Sequence, residues 1–97
     1  DWSKPSSDVY NLIRGCNPQP GAWTTSGGQK VAIFDSSRSD EGGDEPGTVT
    51  GISDEGITVA AGEGSILVAR VRADGGKVTA KEFADAGGLS VGAKFGN

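Results

Sequence analysis

The sequence predicts a mainly β domain: a small OB-like open Greek-key barrel with one helix in front and a short helix near the C-terminus. Three observations carry this. Glycine is abundant, 17 of 97 residues, and recurs between runs rich in Val, Ile and Thr. Those runs are short, alternate apolar with polar residues, and are separated by turn signals about every 8–12 residues, the pattern of a small barrel. A chain of 97 residues suits one modest core, so residues 1–97 are expected to form a single domain.

The helix in front is expected from Lys4 to Arg14. Ser3 can cap its start and Pro5 fits its first turn, where the backbone N–H has no partner. Val9, Leu12 and Ile13 follow helical spacing as one apolar stripe, and Gly15 suits the left-handed stop. The stretch "CNPQPGAWT" follows. Pro18 and Pro20 each fix φ and bias the preceding residue to extended backbone, which makes a stiff corner feeding Gly21. The first strand is Ala22–Ser26, with Trp23 expected in the core. Gly27–Gly28 is a turn. Gln29–Asp35 is the second strand, with Val31 and Ile33 on one face and Lys30, Ala32 and Phe34 on the other.

Ser36–Gly47 carries Asp40, Glu41, Asp44 and Glu45 without a large apolar residue, and reads as an exposed loop. Further strands are expected at Thr48–Ile52, Ile57–Ala61, Ser65–Arg72 and Lys77–Thr79. "TAKE", Thr79 to Glu82, has the spacing of a capping box for a helix over Ala80–Ala86, which Gly87–Gly88 ends. "LSVGAKFGN" is expected to pair back as a last strand.

The chain contains no His, which removes the commonest general base, the Ser–His–Asp and Cys–His arrangements, and most zinc sites. A single Cys excludes an internal disulfide and a cysteine-rich metal site, and points to a reducing cytosol. Cys16 follows a helix C-terminus, where the dipole disfavours a thiolate, so it reads as structural. The acidic loop lacks the ligand order of an EF-hand. "GEGS" lies between strands and reads as a hairpin turn rather than a phosphate loop. The residues therefore describe a binding or accessory domain with no catalytic or metal site of its own.

The formal net charge is −4, and the nine Lys and Arg residues form no run, which disfavours nucleic acid as a default partner. Lys30, Arg70, Arg72 and Lys77 remain as a local ligand-facing set. Arg70 and Arg72 share a face at period two behind Ile66 and Val68, as a binding strand or as a solvated strand end. No apolar run approaches the ~20 residues of a membrane span. The chain lacks Met and opens on Asp1, as a piece excised from a longer protein would.

Several motifs together resemble a known family. "DWSKPSSDVYNLIRGCNPQPGAWT", "QKVAIFDSS", "EPGTVTGISDEGITVAAGEGSILVARV" and "LSVGAKFGN" are similar, in this order, to the C-terminal domain of folate-dependent formyltransferases. The resemblance covers nearly the whole chain. It implies an OB-like accessory domain without catalytic residues or a cofactor of its own, cut from a cytoplasmic enzyme whose N-terminal domain binds 10-formyltetrahydrofolate. That catalytic domain would be its partner, and the domain would help position the formyl acceptor: a charged tRNA, an amino sugar or water. The acidity weighs against tRNA. Arg14, Asn17, Pro18, Pro20, Gly21 and Trp23 then become interdomain or acceptor-side candidates, with Arg14 and Asn17 as hydrogen-bonding groups. The alternative is a stand-alone barrel that binds tRNA, another oligonucleotide or an oligosaccharide.

Overall fold

A computed structural model of the chain describes residues 2–16, 22–26, 29–42, 44–73 and 76–96. Helix α1 (Ser6–Cys16) leads into β1 (Ala22–Ser26), β2 (Gln29–Ser39), β3 (Val49–Ser53), β4 (Gly56–Ala60), β5 (Ser65–Ala73) and β6 (Gly76–Thr79), and α2 (Ala80–Gly87) follows. All strand pairs are antiparallel in the order β1-β2-β5-β4-β3, and β6 pairs with β5 beside β4's position. β3, β4 and β5 follow one another as hairpins. β2 lies beyond β5 and joins β3 by a long connection, which makes the Greek key.

The C-terminal segment closes the open side. Lys94 bridges Thr48 next to β3, and Phe95 bridges Ser26 of β1. The Phe95 N–H donates to the Gly47 carbonyl at 2.8 Å and the Gly96 N–H to the Thr25 carbonyl at 2.7 Å. The expected last strand is thus present as two isolated bridges, because Gly92 and Gly96 at positive φ break the extended run.

Alternation along the strands builds the core. Val31 and Ile33 of β2, Val49 of β3, Ile57 and Val59 of β4, and Ile66, Val68 and Val71 of β5 are buried together. Each such side chain contributes about 1.5–3 kcal/mol by leaving water. α1 adds Val9 and Ile13, and α2 adds Ala80 and Ala84. The Thr79 hydroxyl accepts from the Glu82 N–H at 3.1 Å, and Gly88 at φ 65° stops the helix.

Four expectations change. α1 starts at Ser6 and runs through Gly15, since one glycine costs a helix only about 1 kcal/mol and the packing of Val9 and Ile13 offsets it. Leu12 is 52% exposed, off the stripe that Ser6, Val9 and Ile13 form. β2 continues to Ser39, because Ser36, Ser37, Arg38 and Ser39 pair with Val68, Leu67, Ile66 and Ser65; cross-strand partners outweigh serine's weak strand preference. Trp23 is not core. It is 58% exposed, and the buried tryptophan is Trp2, whose Nε1–H donates to Thr24 Oγ1 at 3.0 Å beside Phe95.

The chain before α1 is strapped to the β4–β5 turn. The Gly62 N–H donates to the Lys4 carbonyl at 2.8 Å and the Ser6 N–H to the Glu63 carbonyl at 2.7 Å. A Cβ on Gly62 would collide with the Ser3 carbonyl, and one on Gly64 with the Ser39 carbonyl and the Ser6 hydroxyl.

Candidate functional site

The hairpin register decides which side chains share the outer face. Trp23 pairs with Ala32, Ala32 with Arg72, and Arg72 with Lys77, so one row crosses β1, β2, β5 and β6. Directly opposed residues point to the same side of a sheet. Lys30 lies two residues from Ala32 and Arg70 two residues from Arg72, on that same side. The structure thus brings together Trp23, Lys30, Arg70, Arg72 and Lys77, all exposed. Arg14 lies in the last turn of α1 with its side chain outside the described set, and Asn17, Pro18, Pro20 and Gly21 lie outside the described residues.

Simple alternation from Ile66 and Val68 would turn Arg70 and Arg72 inward. It does not, because the ladder between β2 and β5 shifts register on both sides of Asp35. Phe34 on β2 and Ala69 on β5 each fall between registered positions of the ladder, so both strands carry one residue outside the alternation. Val71 then takes the buried position and the arginines face water.

The face is basic with aromatic support. Lys30 Nζ lies 4.9 Å from the Trp23 ring centroid, and Lys77 Nζ lies 4.5 Å from that of Phe34. Arg70 Nε meets Asp35 Oδ2 at 3.5 Å with both side chains mostly exposed, a contact of at most about 1 kcal/mol. Lys30, Arg72 and Lys77 make no ion pair among the described residues. The sequence offers Phe34, with Trp23 and Phe83, as an aromatic able to stack bases, and its place on the Lys30–Ala32–Phe34 face; what it does not offer is the contact with Lys77.

Across the Phe34–Ala69 shift the outer face changes character. Ser37, Ser39, Thr58 and Ser65 line a trough of about 480 Å3 rimmed by Glu41, Asp44 and Glu55 with Arg38. Glu41, Asp44 and Glu55 thus lie at the other end of the sheet from the basic set, whereas Asp35 and Glu82 lie beside Arg70 and Lys77. Among the described residues no cluster of three His, Cys, Asp or Glu could hold a metal, and no helix is long and apolar enough to cross a membrane.

Known proteins place this architecture. The formyl transferase C-terminal domain model matches residues 1–87. The methionyl-tRNA formyltransferase of Symbiobacterium thermophilum is 41% identical over 99 residues, covering 98% of this chain and 30% of that protein. That of Brucella anthropi is 44% identical over 87 residues, 86% of this chain and 28% of that protein. The chain therefore spans under a third of these relatives. Among solved structures, HypX from Aquifex aeolicus in complex with tetrahydrofolic acid superposes with TM-score 0.75 at 22% identity, over 87% of this chain and 16% of that one. A multiply substituted HypX variant gives TM-score 0.80 at 19% identity, over 97% of this chain and 17% of that one. At such identities the HypX likeness shows the fold alone. The family model and the 41–44% identities extend over nearly the whole chain, and on them the chain belongs to the formyl transferase C-terminal domain family.

Proposed function

We propose that this chain is the non-catalytic accessory domain of a 10-formyltetrahydrofolate-dependent formyltransferase, docked on a preceding catalytic domain and helping to hold the formyl acceptor. The observation that carries the acceptor half is the gathering of Lys30, Arg70, Arg72 and Lys77 on one sheet face. The similar proteins are named for methionyl-tRNA, and a polyanionic acceptor matches this face. The net charge of −4 argues against it only on average. Salt screens exposed charges beyond about 8–10 Å, so an approaching phosphate responds to the local balance of four cations against Asp35 and Glu82 rather than to carboxylates across the sheet.

The docking half rests on position. Residues 17–21 connect the end of α1, which carries Arg14, to β1, whose Trp23 is exposed, and Leu12 of α1 is also exposed. We assign Arg14, Asn17, Pro18, Pro20 and Gly21 to the contact with the catalytic domain, Arg14 and Asn17 as hydrogen-bonding groups and the prolines as stiffeners.

Folate belongs to that other domain in this reading. A pterin needs an enclosed slot with fixed donors and acceptors. The clefts among the described residues are open surface troughs, and no charged side chain is buried there. They do not fit the cofactor. The work of this chain is to bind and orient the acceptor, which lowers the entropic part of the barrier.

The test is a titration of the chain with tRNA at rising salt, followed by tryptophan fluorescence. The expected result is saturable binding whose log K falls with log salt at a slope of about −3 to −4 for four cations. The pair Lys30→Glu and Arg72→Glu should abolish it without lowering the melting temperature. Absence of binding at low salt, or equal binding by that variant, overturns the acceptor role. Formyl transfer or formyltetrahydrofolate hydrolysis by this chain alone overturns the accessory role.

A further inference from the structure

The two aromatic rings of the basic face each carry a lysine. Lys30 is diagonal to Trp23 across the β1–β2 hairpin, since Trp23 pairs with Ala32 and Lys30 with Thr25. Its Nζ sits 4.9 Å from the ring centroid. Lys77 and Phe34 meet across β5, the strand between them, with Nζ 4.5 Å from the centroid. Both distances fall within the roughly 6 Å range of cation–π attraction. Alternation from Lys30 and Ala32 places Phe34 on the basic side, and the ladder shift after it brings Asp35 to that side as well, opposite Arg70.

We propose that Trp23 and Phe34 are positioning residues that seat the Lys30 and Lys77 ammonium groups, so that the face grips RNA phosphates at two held points without reading the bases. The proposal rests on the reading of this face as an RNA surface. A free lysine side chain loses much rotamer freedom when it is immobilised on a ligand. A ring that already holds the ammonium removes part of that cost before the RNA arrives. The seated charges also stay available, because neither lysine is paired with a carboxylate among the described residues, whereas Arg70 is tied to Asp35. The rival use of such rings is base stacking. A base on the same ring face would have to displace the ammonium.

A double-mutant cycle separates the two, with a tRNA transcript and long-chain inorganic polyphosphate as probes. Trp23→Leu and Phe34→Leu should each weaken both probes about two- to fivefold, the strength of an exposed cation–π contact, with the salt slope unchanged. Lys30→Gln should lower the slope by about 1. Trp23→Leu should then add no further loss in the Lys30→Gln background, and Trp23→Phe should retain most of the affinity. Phe34 with Lys77→Gln repeats the cycle; if Phe34→Leu melts below the assay temperature, the Trp23–Lys30 cycle decides alone. A Trp23→Leu loss that persists in Lys30→Gln, or that appears with tRNA and not with polyphosphate, establishes stacking and overturns the proposal. If the unaltered chain binds neither probe at low salt, the RNA reading fails and the seating role fails with it.

Discussion

The outer sheet face presents two different surfaces on one continuous set of strands. Toward β1 and β6 it offers cations and aromatic rings; toward β3 and β4 it offers hydroxyls rimmed by carboxylates. The strands β2 and β5 run through both. What separates the surfaces is the pair of irregular positions, Phe34 and Ala69, at which each strand steps out of alternation. A sheet can thus change its chemistry along a strand while its core side stays apolar, provided both partners slip together.

The largest effect should come from breaking that boundary. Deleting Ala69 leaves the Phe34 step uncompensated, so either Arg70 and Arg72 turn inward or Ile66 and Val68 turn outward. Each unpaired buried charge costs several kcal/mol, against a total of about 5–15 for a domain of this kind. No cooperative melt should remain by circular dichroism. Deleting Phe34 and Ala69 together restores a regular ladder with Ile66, Val68 and Val71 still inside, and should recover a cooperative transition. A double deletion no better than the single one would refute the paired-step account.

Next in size, Gly64→Ala strikes only the hydroxyl end. Its φ of 74° and the crowding by Ser39 and Ser6 should cost about 1–3 kcal/mol. At roughly 4–8 °C per kcal/mol the melting temperature should fall accordingly, with polyanion affinity per folded molecule unchanged. A matching loss of affinity would mean that the two surfaces are coupled.

Trp2→Phe acts behind the basic end. It removes the bond to Thr24 and should cost about 1–2 kcal/mol by chemical denaturation, with emission from Trp23 unaltered. The smallest effect lies off both surfaces. The hydrogen bond from Lys81 to Asp85, and then their mutual attraction, raise the lysine above its ordinary 10.5. A raised folded value means that the contribution is present below 10.5 and is lost as pH climbs past it. The small difference in melting temperature between the unaltered chain and Asp85→Asn should vanish in that range.

Much of this was legible in the residues. Alternation in Gln29–Asp35 and in Ile57–Ala61 identified the buried sides, and Thr79 with Glu82 identified the start of α2. The site was legible as a set of cations but not as a surface, because net charge averages over ends that the fold separates. Trp23 shows what pairing adds to periodicity. The register that pairs Ser26 with Gln29 also pairs Thr24 with Val31, so Thr24 shares the core side and Trp23 faces out. Size alone suggests the opposite. Arg70 and Arg72 mark the limit: paired irregularities cancel in register and leave no trace in spacing, except that two guanidinium groups would otherwise point into the core.

The strap at Trp2 and the closing segment at Phe95 have one more consequence. The Trp2 indole packs beside Phe95 and Gly96, so the first and last described residues sit side by side. A unit with adjoining ends is suited to transplantation. It can be spliced into a surface loop of an unrelated host without prising that loop apart, or have its ends joined and new ones opened in the acidic connection around Asp44.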